Sequence, residues 1–303
     1  MSPNPQHGTP AGDAIIALRK LARETGRDVQ EMMTLYALEG LLARIANSEY
    51  RDDFVLKGGV LLAAFAARRP TKDIDLQATR LTDDPDEVAE RIRAIAGLAL
   101  ADGLVFDPAN VIATRIRDED EYAGVRVKLI AALGTARLTL GVDVNFGDPI
   151  WPAPELLELP RVTDLGLPPV ALPGYPLTMV LAEKIVTAID RGVANTRWRD
   201  FADVYTLTRL HSVDARELRT SIETVAEYRK VPLAVLLPTL APMNERSQQK
   251  YGAWRTRSHR DGELPVAFAD VLTAVASFAD PILSAVTPGM TTGKWNPHRR
   301  TWE

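Results

Sequence analysis

The chain has 303 residues, 46% hydrophobic and 25% charged, a balance that excludes intrinsic disorder and leaves room for one large domain or two ordinary ones. It contains no cysteine, which excludes a disulfide framework and thiolate zinc or iron–sulfur chemistry; the chemistry must rest on carboxylates, lysines and arginines, and a reducing, cytoplasmic setting is expected. A net charge of −4 supplies no global field for nucleic acid, so such a partner would have to meet a local basic surface.

The opening MSPNPQHGTPAGD reads as a mobile start without the apolar core of a signal peptide, and no later run approaches the roughly 20 apolar residues of a membrane span. A soluble protein with no membrane partner is expected. Residues 13–47 read as helices, because Met32, Leu35, Tyr36, Leu38, Leu41, Leu42 and Ile45 recur at the spacing of one helical face. Phe54, Val55 and Leu56 then read as a short buried strand, broken by Gly58 and Gly59, with a small helix over Leu61–Ala67. A second strand is expected at Lys72–Gln77, and Asp84 and Asp86 supply cap residues for a helix to about Leu98. Alternation dominates from Val111 to Phe146, with a turn at Gly134-Thr135 between two strands, which predicts a mixed or antiparallel sheet. The proline-rich stretch Trp151–Pro176 reads as a connector, since each proline fixes φ and removes a ladder donor. Helices are then expected at 176–190, 199–210, 213–229 and 264–279. The division is an N-terminal helical segment, 1–47, an α/β core, 48–172, and an α-helical C-terminal domain, 173–303.

In Lys72-Asp73-Ile74-Asp75-Leu76 the period of two puts Asp73 and Asp75 on one strand face and sends Ile74 and Leu76 into the core. Parallel carboxylates repel unless a cation lies between them, and magnesium is the cation that binds through carboxylates and substrate phosphates. Asp143, on the polar face of a later strand with Arg137, Thr139 and Asn145, is placed to complete a three-carboxylate, two-metal site. Taken alone, an Asp-x-Asp pair is more often a solvated edge, and adjacent glycines are more often a tight turn.

Strand, Lys57-Gly58-Gly59, helix, a strand with Asp73-Ile74-Asp75 and a distant strand with Val142-Asp143-Val144 together resemble the polymerase-β-like nucleotidyltransferase core. Many members carry Gly-Ser where this chain has Gly59-Val60, so backbone amides must replace the serine's phosphate contact. Glu183-Lys184-Ile185-Val186-Thr187-Ala188, followed by Arg197-Trp198-Arg199-Asp200-Phe201-Ala202-Asp203-Val204-Tyr205, is similar to the signature of AbiEii/AbiGii-type toxins, the nucleotidyltransferases of type IV toxin–antitoxin systems. The resemblance spans roughly residues 50–210, and the closing GKWNPHRRTWE is like the family's C-terminus. It implies an α+β fold, a nucleotidyltransferase core plus a helical domain with the active site in the cleft between them. It implies transfer of a nucleoside monophosphate from an NTP to a tRNA 3′ end, growth arrest, and a cognate antitoxin encoded nearby. Asp73, Asp75 and Asp143 would hold Mg²⁺, with Asp143 taking the second ion or activating the acceptor hydroxyl. Lys57, Gly58 and Gly59 would cradle phosphate, Lys184 would neutralise the leaving pyrophosphate, and Arg197, Asp200 and Asp203 would line the NTP site. A same-fold enzyme with a small-molecule acceptor and a non-catalytic binding module are the alternatives.

Spacing alone leaves Lys184 open. It falls within the apolar stripe of Val180, Leu181, Ile185 and Ala188, where an unpaired ammonium is costly, so it needs an anion: Asp200 or Asp203, or a triphosphate. Residues 246–260 interleave Arg246, Lys250, Arg255, Arg257 and Arg260 with Tyr251 and Trp254, a composition suited either to RNA contact or to a solvated helix. Arg68 and Arg69 are candidate NTP or acceptor contacts, the four histidines have no ligand spacing, and Trp295 and Trp302 read as packing anchors.

Overall fold

The computed structural model describes residues 6–116, 124–284 and 293–303; residues 1–5 of the expected mobile start and part of the alternating segment lie outside them. The chain divides into two compact units, one drawn from Met1–Ala64, Arg68–Gly147 and Glu155–Gly174, the other from Phe65–Ala67, Asp148–Pro154 and Tyr175–Glu303.

The first unit is a curled mixed sheet with helices. Helix α1, Pro10–Thr25, starts earlier than the sequence suggests, with Thr9 accepting from the Gly12 amide and proline at its first position, and it ends at Gly26 in the left-handed region. Helix α2, Val29–Ala46, is buried from Met32 to Ile45 except at Thr34. The strands are β1, Phe54–Lys57, and β2, Asp73–Ala78, with the single turn α3, Gly58–Leu61, between them. Next come α4, Pro85–Ala96, and strands β3, Leu104–Phe106, β4, Ile112–Arg115, β5, Gly124–Leu133, and β6, Ala136–Phe146. The small helix thus begins on Gly58 itself and continues as a 3-10 turn to Phe65, because the glycines occupy its first turn instead of preceding it.

The proline-rich stretch is not a bare connector. It contributes strands β7, Glu155–Leu159, and β8, Val170–Gly174, and the sheet order is β3-β5-β6-β2-β1-β8-β7, with β4 also on β5. Pro173 is tolerated because β8 registers with β1 through Leu56↔Gly174, so the missing N–H costs little of that ladder. Alternation puts Val125, Val127 and Leu129 of β5 and Leu138, Leu140, Val142 and Val144 of β6 in the core, leaving their other faces polar.

The second unit is mainly helical: α5, Leu177–Arg191, α6, Trp198–Leu210, and α7, Ala215–Arg229, then α8, Leu236–Leu240, α9, Met243–Arg257, and α10, Phe268–Leu283. A small sheet joins β9, Val213–Asp214, to a C-terminal hairpin of β10, Lys294–Asn296, and β11, Thr301–Trp302. The tail is therefore paired. The Trp295 indole donates to the Thr208 carbonyl at 2.6 Å and that of Trp302 to Phe278 at 2.9 Å, and both rings pack on Phe278. Among the described residues no helix is long and apolar enough to cross a membrane.

Candidate active site

The polar face of β2 and its neighbours carries a row of charges set by strand register. Lys57 of β1 lies opposite Asp75 of β2, Asp75 opposite Asp143 of β6, and Asp143 opposite Arg126 of β5. Because side chains alternate along each strand, one register fixes four charges on one face in the order plus, minus, minus, plus. Ile74 and Leu76 are buried beneath, Asp75 is half-buried and Asp73 is exposed.

Two glycines seat the aspartates. A Cβ on Gly58 would lie 2.0 Å from Oδ2 of Asp75, and one on Gly141 would lie 2.2 Å from Oδ1 of Asp73. Gly58 also has a φ of +67°, which side-chain-bearing residues rarely adopt. Gly141 lies opposite Asp73 across the β2–β6 ladder, so the Asp73 carboxylate leans over a position with no side chain. The Gly59 amide, expected to face phosphate, donates instead to Asp75 Oδ2 at a long 3.4 Å.

Burial pushes the Asp75 carboxyl above the ordinary carboxylate range; Lys57 opposes this, the negative charge of Asp143 adds to it, and the Gly59 amide and Arg69 lower it again. Lys57 is buried beside it. A divalent ion suits this donor set: hard oxygen donors two residues apart on one strand face, held by glycine seats, with a repulsion that a cation would relieve. Asp143 is held differently from the expectation. Arg126 grips both its oxygens, Nε to Oδ1 at 2.7 Å and Nη2 to Oδ2 at 2.6 Å. Among the described residues no three Asp, Glu, His or Cys side chains gather as a ready metal cluster.

In the second unit Lys184 is buried on α5, and its Nζ donates to Asp200 at 3.0 Å and to Asp203 at 2.8 Å, both on α6. Asp200 and Asp203 share a helical face at i and i+3, so one ammonium reaches both. Arg197, half exposed, adds an Nε contact to Asp200 at 2.6 Å. Desolvation works against the Asp200 carboxylate, but Lys184 and Arg197 outweigh it and hold its pKa down to about 2. The neighbouring Glu183 pairs with Arg229 of α7 at 3.3 Å, so this stretch also ties α5 to α7.

Other candidates have partners within the scaffold. Arg68 bonds the Pro160 carbonyl and pairs with Glu39 at 3.8 Å, and Arg69 donates to Pro70 at 3.2 Å. In 246–260, Tyr251 is fully buried with its hydroxyl on Pro265, Arg255 bonds Leu264 and Asp261, and Arg260 pairs with Glu263. A buried tyrosine cannot stack on a base, and the exposed basic residues of that segment are Arg246, Lys250 and Arg257. Sequence reasoning passed over Gly141 and Arg126. A glycine in the polar phase of a strand is a signal of close approach, whereas Arg126 gains meaning only from the register.

The model of the AbiEii nucleotidyl transferase toxin family of type IV toxin–antitoxin systems matches residues 40–274, which contain the charge row and the Lys184 node. The chain belongs to that family. It is therefore a nucleotidyltransferase of the toxin class. Solved structures agree on the fold. JHP933 from Helicobacter pylori aligns with a TM-score of 0.52 at 12% identity, covering 84% of this chain and 92% of its own. MenT4, a nucleotidyltransferase toxin from Mycobacterium tuberculosis H37Rv, aligns with a TM-score of 0.51 at 18% identity, covering 89% of this chain and 98% of its own. No curated protein matches the chain.

Proposed function

We propose that this AbiEii-family enzyme transfers a nucleoside monophosphate from an NTP to the 3′ end of a tRNA in a Mg²⁺-dependent reaction, and that the product halts growth unless a cognate antitoxin intervenes. The observation that carries this reading is the seating of Asp73 and Asp75 over Gly141 and Gly58, on a sheet face where Asp143 completes the acidic set. Burial and the neighbouring Asp143 charge both oppose ionisation of Asp75, a cost that a bound cation would relieve.

The acceptor hydroxyl oxygen loses its proton to a carboxylate of this face or to water and forms a bond to the α-phosphorus as the bond from that phosphorus to the bridging oxygen breaks, and pyrophosphate leaves with the electron pair. Asp73 and Asp75 would hold the ion, which supplies charge neutralisation at the phosphates. Lys57, buried beside Asp75, favours its ionised form against the burial that raises its pKa. Asp143 is assigned the second ion or the acceptor hydroxyl. Lys184, which the family resemblance puts on the leaving pyrophosphate, is held by two carboxylates in this structure, and that geometry supports a role in fixing α5 to α6 first.

Purified protein incubated with total RNA and each NTP labelled at the α-phosphate tests the reading. Label is expected in the tRNA fraction with one or more NTPs. Label in a small molecule and not in RNA would replace the tRNA acceptor with a small one.

A further inference from the structure

Arg126 already neutralises Asp143, the carboxylate assigned to a second divalent cation. Its guanidinium makes two parallel contacts, at 2.7 and 2.6 Å, one to each carboxylate oxygen, from the directly opposing register position on β5. The side chain is 50% exposed while Asp143 is 16% exposed, so the arginine has solvent to move into and the carboxylate does not. The fork takes one lone pair of each oxygen, and a divalent ion on the remaining ones would stand a few ångströms from the guanidinium, so the two cations compete electrostatically for this carboxylate. The planar fork that fits a carboxylate also fits a phosphate, which gives Arg126 an alternative partner once a nucleotide is bound.

We propose that Arg126 is the resident counter-cation of the site: it keeps Asp143 aligned before the nucleotide arrives and weakens binding of a second divalent ion there until it releases that carboxylate. The inference rests on the reading of Asp73 and Asp75 as metal ligands. It makes the nucleotide-free enzyme a one-ion protein and couples loading of the second ion to phosphate binding, which withdraws the guanidinium. Arg126 is thus a positioning residue that acts through Asp143.

Mn²⁺ serves as the probe, titrated by electron paramagnetic resonance against full-length protein without nucleotide. Wild type is expected to bind one ion. Arg126→Gln is expected to bind two, or to bind the second at least tenfold more tightly, and Arg126→Gln combined with Asp143→Asn should return to one. Arg126→Lys, which keeps charge but loses the fork, should fall between wild type and Arg126→Gln. Equal stoichiometry and affinity in wild type and Arg126→Gln, with the ion lost in Asp75→Asn, would overturn this inference alone. An Asp75→Asn protein that binds Mn²⁺ as wild type does would overturn the metal-ligand reading and this inference with it. Circular dichroism of each variant secures the comparison, and a misfolded Arg126→Gln is replaced by the Arg126→Lys arm, where unchanged binding would equally overturn the proposal.

Discussion

Asp75 and Asp143 stand directly opposite each other on the parallel neighbours β2 and β6, two carboxylates brought together by register with Lys57 on one flank and Arg126 on the other. Such a pair costs folding stability in the absence of a cation, because burial and the Asp143 charge both disfavour ionised Asp75. Asp75→Asn is therefore expected to raise the melting temperature by a few degrees in metal-free buffer at neutral pH, while abolishing transfer. The sign follows from linkage: a carboxyl whose folded pKa lies above its unfolded one opposes folding when ionised, and the amide removes that penalty. Differential scanning calorimetry with and without Mg²⁺ checks it, and a lower metal-free melting temperature in the variant would contradict it.

The glycine seats give the second prediction. Gly141→Ala would place a methyl group 2.2 Å from Asp73 Oδ1, so the carboxylate must leave its position. Asp73 is exposed and its carboxylate is the mobile end of the side chain, so the fold should lose little stability, while transfer should fall by about 100-fold because a ligand atom is displaced by about an ångström. Gly58→Ala carries the same collision with Asp75 plus a positive φ, so it should be the less stable of the two. Urea denaturation and turnover of both variants measure this.

Lys184 yields the third. Buried between Asp200 and Asp203, it supplies the ammonium that both carboxylates share, and its removal leaves Arg197 as the cation on Asp200, so Lys184→Ala should lose about 3 kcal/mol. A thermal melt of the unliganded protein reads this directly. If the melt barely moves while the NTP-induced rise disappears, Lys184 serves the nucleotide rather than the scaffold.

The same node sets an acid limit. Asp200 has its folded pKa depressed to about 2 from an ordinary 3.8, so its contribution is present in full above the unfolded value and is lost as pH falls from about 4 toward 2. That loss amounts to roughly 2 kcal/mol. In urea unfolding between pH 5 and pH 2.5, Asp200→Asn should flatten this part of the slope, and an unchanged slope would mean that other carboxylates carry it.

Much of the fold was legible because its signals are local. The Asp84 cap, the alternation in β5 and β6 and the helical stripe of α5 each sit within one element. Strands β7 and β8 were not, since prolines weigh against strand locally and only pairing with β1 settles the matter. Helix α9 was hidden by weak amphipathicity: Met243, Ser247 and Tyr251 are its buried positions, and the rest is polar. In the site, Asp73, Asp75 and Asp143 could be picked out by alternation. The pairing of Asp143 with Arg126 and the glycine seat under Asp73 depend on which strands are neighbours, which no local pattern encodes.

The central claim is that the Asp73–Asp75 face performs nucleotidyl transfer. The most direct measurement gives wild type and Asp75→Asn the same RNA with NTP labelled either at the α- or the γ-phosphate, in Mg²⁺. The account predicts that wild type moves α-label into RNA and releases γ-label as pyrophosphate, and that Asp75→Asn, folded and at least as stable, does neither. Transfer of α-label at the wild-type rate by Asp75→Asn would contradict it.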